Sequence, residues 1–347
     1  MELRIYDSTL KRKGVVENHS SLIWTRKYFE PGDFELHVPL TDENISLLPK
    51  GSIITKDNTV EAGIIESIVY TDNYDQKDIV VSGRFLSSLF DRRLVKNTFS
   101  WNSLVETGMR SLVSSVEAIP LLELGTLQGF VETVTFQVTM KELLATLTKL
   151  SKSSGIGYRV KPVFTSREML FECYKGVDRS VDQHVNNRVI FSDVFNNLEQ
   201  VQYTWNDQLL KTYAIVGGEG EGPLRVYVTV GSGSGLGLRE VFVDARDVRS
   251  DDFTTTEEYE DALKQRGYDV LKKDIEVESF DYSVIPDTTF EYKTDYDLGD
   301  IITISKSDWG VTLNSRITEV QEVYENGGMT VALTLGDALP DTVDWSD

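Results

Sequence analysis

Short runs in which hydrophobic and polar residues alternate fill the first part of the chain. The runs are rich in β-branched and aromatic residues, and turn-forming residues separate them. Many short strands with turns between them are typical of a β-barrel or a β-sandwich. The pattern predicts strands at Leu3–Tyr6, Ser20–Tyr28, Asp33–Val38, Ser52–Thr55, Ala62–Tyr70 and Asp78–Ser82.

The segment WTRKYFEPGDFELHVPL, from Trp24 to Leu40, is especially dense in aromatic and aliphatic residues. Its turn is Pro31-Gly32-Asp33, in which proline presets φ, glycine permits a positive φ and aspartate can bond nearby backbone. Alternation after the turn predicts one buried and one wet face. The buried positions are Phe34, Leu36 and Val38. We interpret the segment as the first hairpin of a barrel, with Trp24 and Tyr28 on one face. Glu35 and His37 then face solvent, a neighbouring protomer or a channel.

Helical periodicity replaces this alternation in the middle of the chain. Hydrophobic residues between 104 and 116 fit a helical period, and Ser103-x-x-Glu106 forms a capping box. A second predicted helix begins at the box Thr139-x-x-Glu142 and ends at Gly155. The segments GIGYRVKPVF and REMLFECYKG then predict a hairpin, so this region is an α+β unit.

Strand patterns return at 198–216 and again over the last seventy residues. A third helix is predicted at about 255–273, capped by Thr255-x-x-Glu258, with Gly267 inside it at a cost of about 1 kcal/mol. The ending GDALPDTVDWSD is acidic and contains proline, which indicates a frayed end or an interaction tail.

Two parts of the chain resemble each other in the order and spacing of their strands. Residues 51–83 contain GSIIT, IESI and IVVSG, and residues 299–336 contain GDIIT, ITEV and VALTLG. Such an echo predicts two copies of one β-domain. We therefore predict a β-rich α+β multidomain protein with two similar β-barrel domains. The predicted domains are a first barrel at 1–100, an α+β domain at 101–190, and a second barrel at 191–347 with a Gly-rich loop at 217–237 and a helical insertion at about 250–275.

The charge balance argues against a protein that grips nucleic acid. The chain of 347 residues has 35 Lys and Arg against 56 Asp and Glu, a net charge of −21, whereas DNA-binding proteins neutralise phosphates with basic residues. The acidity favours solubility, or a surface that repels a passing polyanion. No apolar stretch long enough to span a membrane is present, and the N-terminal MELRIYDSTLKRKG lacks the apolar core of a signal peptide.

Residues with catalytic or metal-binding chemistry form no recognisable motif. The histidines, His19, His37 and His184, are not at ligand spacing, and the single cysteine, Cys173, excludes an internal disulfide. We therefore predict no catalytic, cofactor-binding or metal site.

Three other segments have a superficial resemblance to known sites. Gly231–Gly237 lacks the ending of a phosphate loop and is interpreted as a hairpin tip. Asp295–Asp300 hints at a calcium loop but has glycine and lysine at ligand positions, so we interpret it as a turn entering a strand. Glu219 and Glu221 lie in a loop that offers a catalytic pair no rigid support.

Several segments together carry a family resemblance. They are Phe29–Pro39 with Gly63–Ile68, Gly83–Arg93, Val201–Trp205 with Tyr213–Gly218, and the C-terminal Leu298–Ile302, Arg316–Val320 and Leu333–Gly336. In this pattern of strands and turns the chain resembles the tail-hub proteins of tailed bacteriophages and prophages. The turn and family-motif residues are Pro31, Gly32, Asp33, Gly83, Gly299 and Asp300.

The resemblance implies a homotrimer in the virion tail, assembled in the bacterial cytoplasm. Each chain would supply two barrels to a pseudo-hexameric ring that continues the tail tube. The implied partners are distal-tail or tube proteins and fibre, spike or receptor-binding proteins, while DNA passes the ring without stable binding. One alternative is a tail-associated cell-wall peptidase or glycosidase. Another is a host-surface carbohydrate-binding module, although Trp24, Trp101, Trp205 and Trp309 fit core or interface positions better than a sugar platform.

Overall fold

The computed structural model of the chain describes residues 1–74, 77–271, 277–284, 289–325 and 328–336. The predicted C-terminal tail from residue 337 onward lies outside the described residues.

The strands in these ranges are β1 (Leu3–Tyr6), β2 (Arg12–Val16), β3 (Ser21–Lys27), β4 (Asp33–Pro39), β5 (Ile53–Lys56), β6 (Gly63–Ile64), β7 (Ser67–Asp72), β8 (Lys77–Arg84), β9 (Leu94–Val95), β10 (Phe99–Leu104), β11 (Leu122–Leu124), β12 (Thr133–Val138), β13 (Lys141–Glu142), β14 (Gly157–Val163), β15 (Glu168–Tyr174), β16 (Ile190–Ser192), β17 (Leu198–Asn206), β18 (Tyr213–Gly217), β19 (Tyr227–Gly231), β20 (Glu240–Asp244), β21 (Val277–Val284), β22 (Ile301–Lys306), β23 (Val311–Glu325) and β24 (Gly328–Gly336).

The α-helices are α1 (Asp42–Leu47), α2 (Val105–Ser115), α3 (Leu143–Ser154) and α4 (Thr256–Leu271). Short 3-10 helices lie at Leu86–Arg92, Gly222–Leu224, Gly235–Gly237, Ser250–Asp252 and Ser307–Trp309. Within the described residues the chain divides into two compact units. The first comprises Met1–Gln202 and Asp281–Gly336, and the second comprises Tyr203–Phe280.

The first unit contains most of a large sheet whose order is β17-β21-β24-β23-β3-β4-β8-β7, with β22 pairing β23 and β16. A second sheet, β2-β1-β5-β6, packs against it. The core between them combines Leu3 and Ile5 of β1 with Leu22 and Trp24 of β3, all fully buried. Strand β23 pairs with β3 along seven residue pairs. Strands from both ends of the chain therefore share one sheet.

The predicted pair of closed barrels is not confirmed, although the β-rich α+β class is. Each sheet formed by the described strands is open. The physical reason lies at the N-terminus: β1 pairs with β2 and with β5 rather than extending the large sheet. The two sheets therefore bury their apolar faces against each other, and neither sheet curls to meet its own edge.

A second core in the first unit lies around α2 and α3, which pack with β14 and β15. Both helices and the β14–β15 hairpin confirm the sequence predictions, and Gly155 ends α3 in the left-handed region at φ 71°. The two predicted capping boxes are wrong. Ser103 still belongs to β10 and Thr139 follows β12, so Leu104 and Glu142 occupy the N-cap positions without a side-chain bond.

Glu106, predicted to cap α2, has another role. Its buried carboxylate accepts hydrogen bonds from the backbone N–H groups of Gln128, Gly129 and Phe130, at 2.7–3.2 Å. An ionised carboxylate that accepts several N–H bonds fixes a loop strongly. Glu106 therefore ties the loop after β11 to α2.

The second unit contains the three-stranded sheet β19-β18-β20 with α4 packed on one face. The predicted capping box of α4 is confirmed: the Glu258 N–H donates to Thr255 Oγ1, and the Thr255 N–H donates to the Glu258 carboxylate. Gly267 lets the helix approach the sheet, since a Cβ there would lie 2.6 Å from Val230 and 2.8 Å from Val216. The contact explains the glycine within the helix.

Candidate interaction surface

The two faces of the large sheet in the first unit differ in chemistry. The inner face is largely apolar, apart from the buried Arg26 and Glu322, and it confirms the predicted hairpin: Phe34, Leu36 and Val38 are buried, and so are Trp24 and Tyr28. The register of β3, β4 and β8 places Ile23, Glu35 and Ser82 side by side on the opposite face. The outer face also carries Ser21, His37, Val80, Gln321, Val323 and Glu325. It is a partly exposed surface on which the aliphatic Ile23, Val80 and Val323 lie among polar and acidic side chains.

Acidic groups are in excess on this outer face. The carboxylates are Asp33, Glu35, Glu319 and Glu325, and the cations are Lys27 and Arg84. Both cations are paired. Lys27 Nζ lies 3.2 Å from Asp33 Oδ2, and Arg84 binds the carboxylates of Glu66 and Asp91. His37 Nε2 lies 2.8 Å from Glu35 Oε1. The outer face therefore presents a net negative field.

The turn that precedes β4 depends on close packing rather than on a left-handed glycine. Gly32 is not among the residues with positive φ, so this part of the turn prediction is wrong. A Cβ at Gly32 would lie 2.1 Å from the carbonyl oxygen of Thr25 and 2.7 Å from the Phe85 ring. Asp33 pairs with the Lys27 side chain. Backbone and ring contacts thus require glycine at this turn.

Gly83 and Gly299, two other predicted motif residues, also lie at close contacts. A Cβ at Gly83 would lie 1.8 Å from the carbonyl oxygen of Ile64. Gly299 has φ 94°, and its Cβ would lie 2.3 Å from the ring of Tyr28. The Tyr28 hydroxyl in turn lies 3.0 Å from the carbonyl oxygen of Gly155. These glycines allow neighbouring segments to approach.

Asp300 fixes the turn that enters β22. It is buried, and its carboxylate accepts hydrogen bonds from the Val177 N–H at 2.6 Å and from Arg179 Nε at 2.9 Å. The segment Asp295–Asp300 is thus a turn leading into a strand, as predicted. The six motif residues are distributed along the first unit at turns and contacts, and they do not line a common pocket.

An ionic network that we did not predict lies within the core of the first unit. Lys56 Nζ lies 2.6 Å from Glu322 Oε2, and both side chains are almost completely buried. Glu322 also accepts hydrogen bonds from the hydroxyls of Tyr292 and Tyr324, and Lys293 Nζ lies 3.1 Å from its Oε1. Every acceptor position of this carboxylate therefore has a donor nearby.

Arg26 extends the network towards β5 and β22. Its Nε donates to Glu61 Oε1 at 2.9 Å, and its Nη1 contacts the Tyr292 hydroxyl at 2.7 Å and the Asp297 carboxylate. Arg26 and Glu61 are both buried, so removing either one would leave the other without its buried counter-charge. The network therefore links β3, β5 and β23 to the segment before β22.

Burial and neighbouring charges move the pKa values of this network. Burial alone would raise the pKa of Glu322, but Lys56 and Lys293 lower it to about 2. Burial lowers the pKa of Lys56 to about 8; Glu322 opposes this effect, and the like charge of Lys293 adds to it. The two cations beside Glu322 strongly favour its ionised form. The charged form of Lys56 is favoured less, because burial and the nearby Lys293 oppose it.

The sequence does contain one signal for this network. In a strand with period 2, Arg26 shares the inward face with Leu22 and Trp24, and Glu322 shares it with Val320 and Tyr324. A charged residue at an inward position requires a partner. The alternation would have identified both residues as buried charges, but not their partners.

The histidines do not converge. His19 is partly buried, its Nδ1 has no hydrogen-bond partner, and burial lowers its pKa. His184 Nδ1 lies 2.8 Å from Arg188 Nη2. In the described part of the chain, no group of three His, Cys, Asp or Glu side chains could hold a metal ion.

The tryptophans and the Gly-rich loop occupy varied positions. Trp24 is buried, Trp101 donates to the Leu104 carbonyl oxygen, and Trp205 and Trp309 are about half exposed, at 53% and 49%. Gly231–Gly237 leads from β19 through a 3-10 turn to β20. The predicted hairpin tip is wrong, because β18 lies between these two strands in the sheet. Within the described residues, no helix combines the length and apolar character needed to cross a membrane.

Comparison with known proteins identifies the family. The profile of the siphovirus ReqiPepy6 Gp37-like family matches residues 2–337, so the chain belongs to that family. No curated protein matches the sequence. The predicted resemblance to phage tail proteins is confirmed.

Three solved structures share the fold over nearly their whole length. The tail protein from Neisseria meningitidis MC58 has 12% identity and a TM-score of 0.61, covering 97% of this chain and 96% of its own. The 43 kDa tail protein of prophage MuSo2 from Shewanella oneidensis has 12% identity and a TM-score of 0.61, with coverages of 96% and 98%. The prophage tail protein gp18 from Listeria monocytogenes EGD-e has 14% identity and a TM-score of 0.55, with coverages of 98% and 96%.

Proposed function

We propose that this member of the siphovirus Gp37-like family is a structural hub at the distal end of a phage or prophage tail. It forms a homotrimeric ring that continues the tail tube. It joins distal-tail or tube proteins to a fibre, spike or receptor-binding assembly. The family match and the shared fold of three tail proteins support a place in the virion tail. The role is structural rather than enzymatic.

The outer face of the large sheet is the observation that carries this proposal. It mixes aliphatic, polar and acidic side chains, and its carboxylates outnumber its cations. A surface of this kind repels phosphates, and within a Debye length of about 8–10 Å salt does not remove the repulsion. We assign this face to the lumen, where Glu35 and Glu325 border the path of DNA.

We further propose that the two barrels and the three predicted domains are features of the assembled ring. The sheet edges that are open in one chain are completed by neighbouring copies, because an oligomer with cyclic symmetry can close a sheet that a monomer leaves open. The motif residues Gly83, Gly299 and Asp300 then act by holding each chain in the shape that the ring requires.

Light scattering and negative-stain imaging of the purified protein test the proposal. We expect a mass of three chains and a three-fold ring with a central pore. A compact monomer at all concentrations would contradict it. Clearing of peptidoglycan by the pure protein would instead support a cell-wall enzyme, and binding to intact host cells would support a carbohydrate-binding module.

A further inference from the structure

Strand β7 forms one edge of the large sheet. Among the described strands it pairs only with β8, from Ser67 opposite Ser82 to Asp72 opposite Lys77. An edge strand presents a row of backbone N–H and C=O groups to its open side. Strand β7 therefore offers a template on which another strand can pair.

The side chains of β7 do not guard this edge. Val69 and Tyr70 are 53% and 51% exposed, and Tyr74, just beyond the strand, is fully exposed. Proteins commonly protect free edges with charged residues or proline. Two other edge strands of this unit have such protection, since β2 carries Arg12 and Lys13 and β14 carries Lys161 and Pro162. From Ser67 to Thr71, β7 has neither.

We propose that β7 is a docking edge for a strand of a second copy of this chain. Copies that each carry a net charge of −21 repel one another, so close approach is favoured where the surface is uncharged. The run Ser67–Thr71 has no charged side chain, and the preceding Glu66 is paired with Arg84 and Arg92. This edge thus combines open backbone groups, apolar side chains and no net charge.

The proposal rests on the trimeric hub and names the surface that joins its copies. In a three-fold ring, a contact is heterologous, so β7 of one copy pairs with a different edge of the next copy. Burial of Val69 and Tyr70 between copies supplies the hydrophobic contribution. The same contact removes a free edge that would otherwise promote aggregation.

The first test changes the edge without changing the core. The double variant Val69→Lys with Tyr70→Lys places two charges on the edge, where lysine is well tolerated in a folded monomer. Its matched control, Tyr227→Lys with Thr229→Lys, alters β19, an edge strand of the second unit whose Tyr227 is equally exposed, at 53%. By light scattering, we expect a trimer for wild type and control and a monomer with unchanged circular dichroism for the β7 variant.

The outcomes separate the two proposals. A trimeric β7 variant would overturn the docking edge and leave the hub intact. A monomeric wild type would overturn both. Loss of the trimer in the control as well would show that any added charge dissociates the ring, and would also overturn the specific role of β7.

Cross-linking provides a measurement that does not depend on destabilising the trimer. Cys173 is buried, so a thiol-reactive benzophenone attached to Tyr70→Cys labels one exposed site. We expect illumination to yield covalently linked copies, whereas the same label at Thr165→Cys, in an exposed turn, yields none. Absence of linked copies from the Tyr70→Cys trimer would contradict the proposal.

Discussion

Lys56 and Glu322 form an ion pair within the core of the first unit, 2.6 Å apart and 266 positions apart along the chain. A buried ion pair adds little net stability by itself, because both charges lose their hydration. Its effect is to make each partner depend on the other. The pair thereby fixes β5 against β23, and the tyrosines around Glu322 restrict the geometry further.

Substitution of one partner should destabilise the fold more than replacement of both. We expect Glu322→Gln to lower the free energy of unfolding by about 3 kcal/mol, because it leaves Lys56 buried without an anion. Lys56→Met should cost less, since Lys293 remains beside Glu322. The double variant Lys56→Met with Glu322→Leu should recover part of the loss, as measured by urea denaturation.

An exposed pair provides the control for this cycle. Lys77 and Asp72 lie 3.2 Å apart with both side chains more than 60% exposed, so Lys77→Ala should change stability by less than about 1 kcal/mol. Equal losses for the buried and the exposed substitutions would contradict the role assigned to the network.

The same pair predicts a loss of stability in acid. The pKa of Glu322 is about 2 in the folded protein and near its ordinary value when unfolded, so the unfolded chain binds a proton first as the pH falls. The stabilisation is therefore complete above about pH 4.5 and is lost towards pH 2, a change of about 3 kcal/mol. The difference in unfolding free energy between wild type and Glu322→Gln should shrink over this range, whereas a constant difference would show that Glu322 titrates normally.

The parts of the fold that the sequence predicted are those with local causes. Alternation placed β1, β3, β4 and β8 within one or two residues, because each of these strands has a buried inner face. The capping box at Thr255 formed because a loop precedes α4. The boxes at Ser103 and Thr139 did not form, because strand pairing had already fixed the backbone there.

The parts that escaped prediction depend on distant residues. Nothing near Arg26 in the sequence indicates that Glu61, Tyr292 and Asp297 will surround it. The open sheets escaped prediction for a similar reason, since the pairing of β3 with β23 joins the two ends of the chain. Likewise, Gly32 is required by the Thr25 carbonyl oxygen and the Phe85 ring that lie against it, and not by a positive φ of its own.

Two glycines with similar backbone angles should respond differently to alanine. Gly299 and Gly51 have φ values of 94° and 82°, so both substitutions incur backbone strain of about 1–2 kcal/mol. At Gly51 nothing lies within 4 Å of the added Cβ, whereas at Gly299 the Tyr28 ring lies at 2.3 Å. We expect Gly299→Ala to lower the free energy of unfolding by about 2 kcal/mol more than Gly51→Ala, because the core must shift. Equal values would show that the Tyr28 contact relaxes without cost.

Charge reversal on the outer face of the large sheet tests its assignment to the lumen. The double variant Glu35→Lys with Glu325→Lys raises the charge of this face by four units per chain. In the wild type the face is acidic, and both side chains are exposed. We expect the assembled variant to retain double-stranded DNA at low salt in a filter-binding assay, with an affinity that falls steeply as salt rises, whereas wild type shows no retention.

The matched control, Glu43→Lys with Glu257→Lys, makes the same change in net charge at exposed helical positions outside this sheet. Because a channel surrounds DNA with lysines from every copy, the outer-face variant should bind more tightly than the control. Equal binding by the two variants would mean that net charge alone governs the interaction, and would remove the outer face from the lumen.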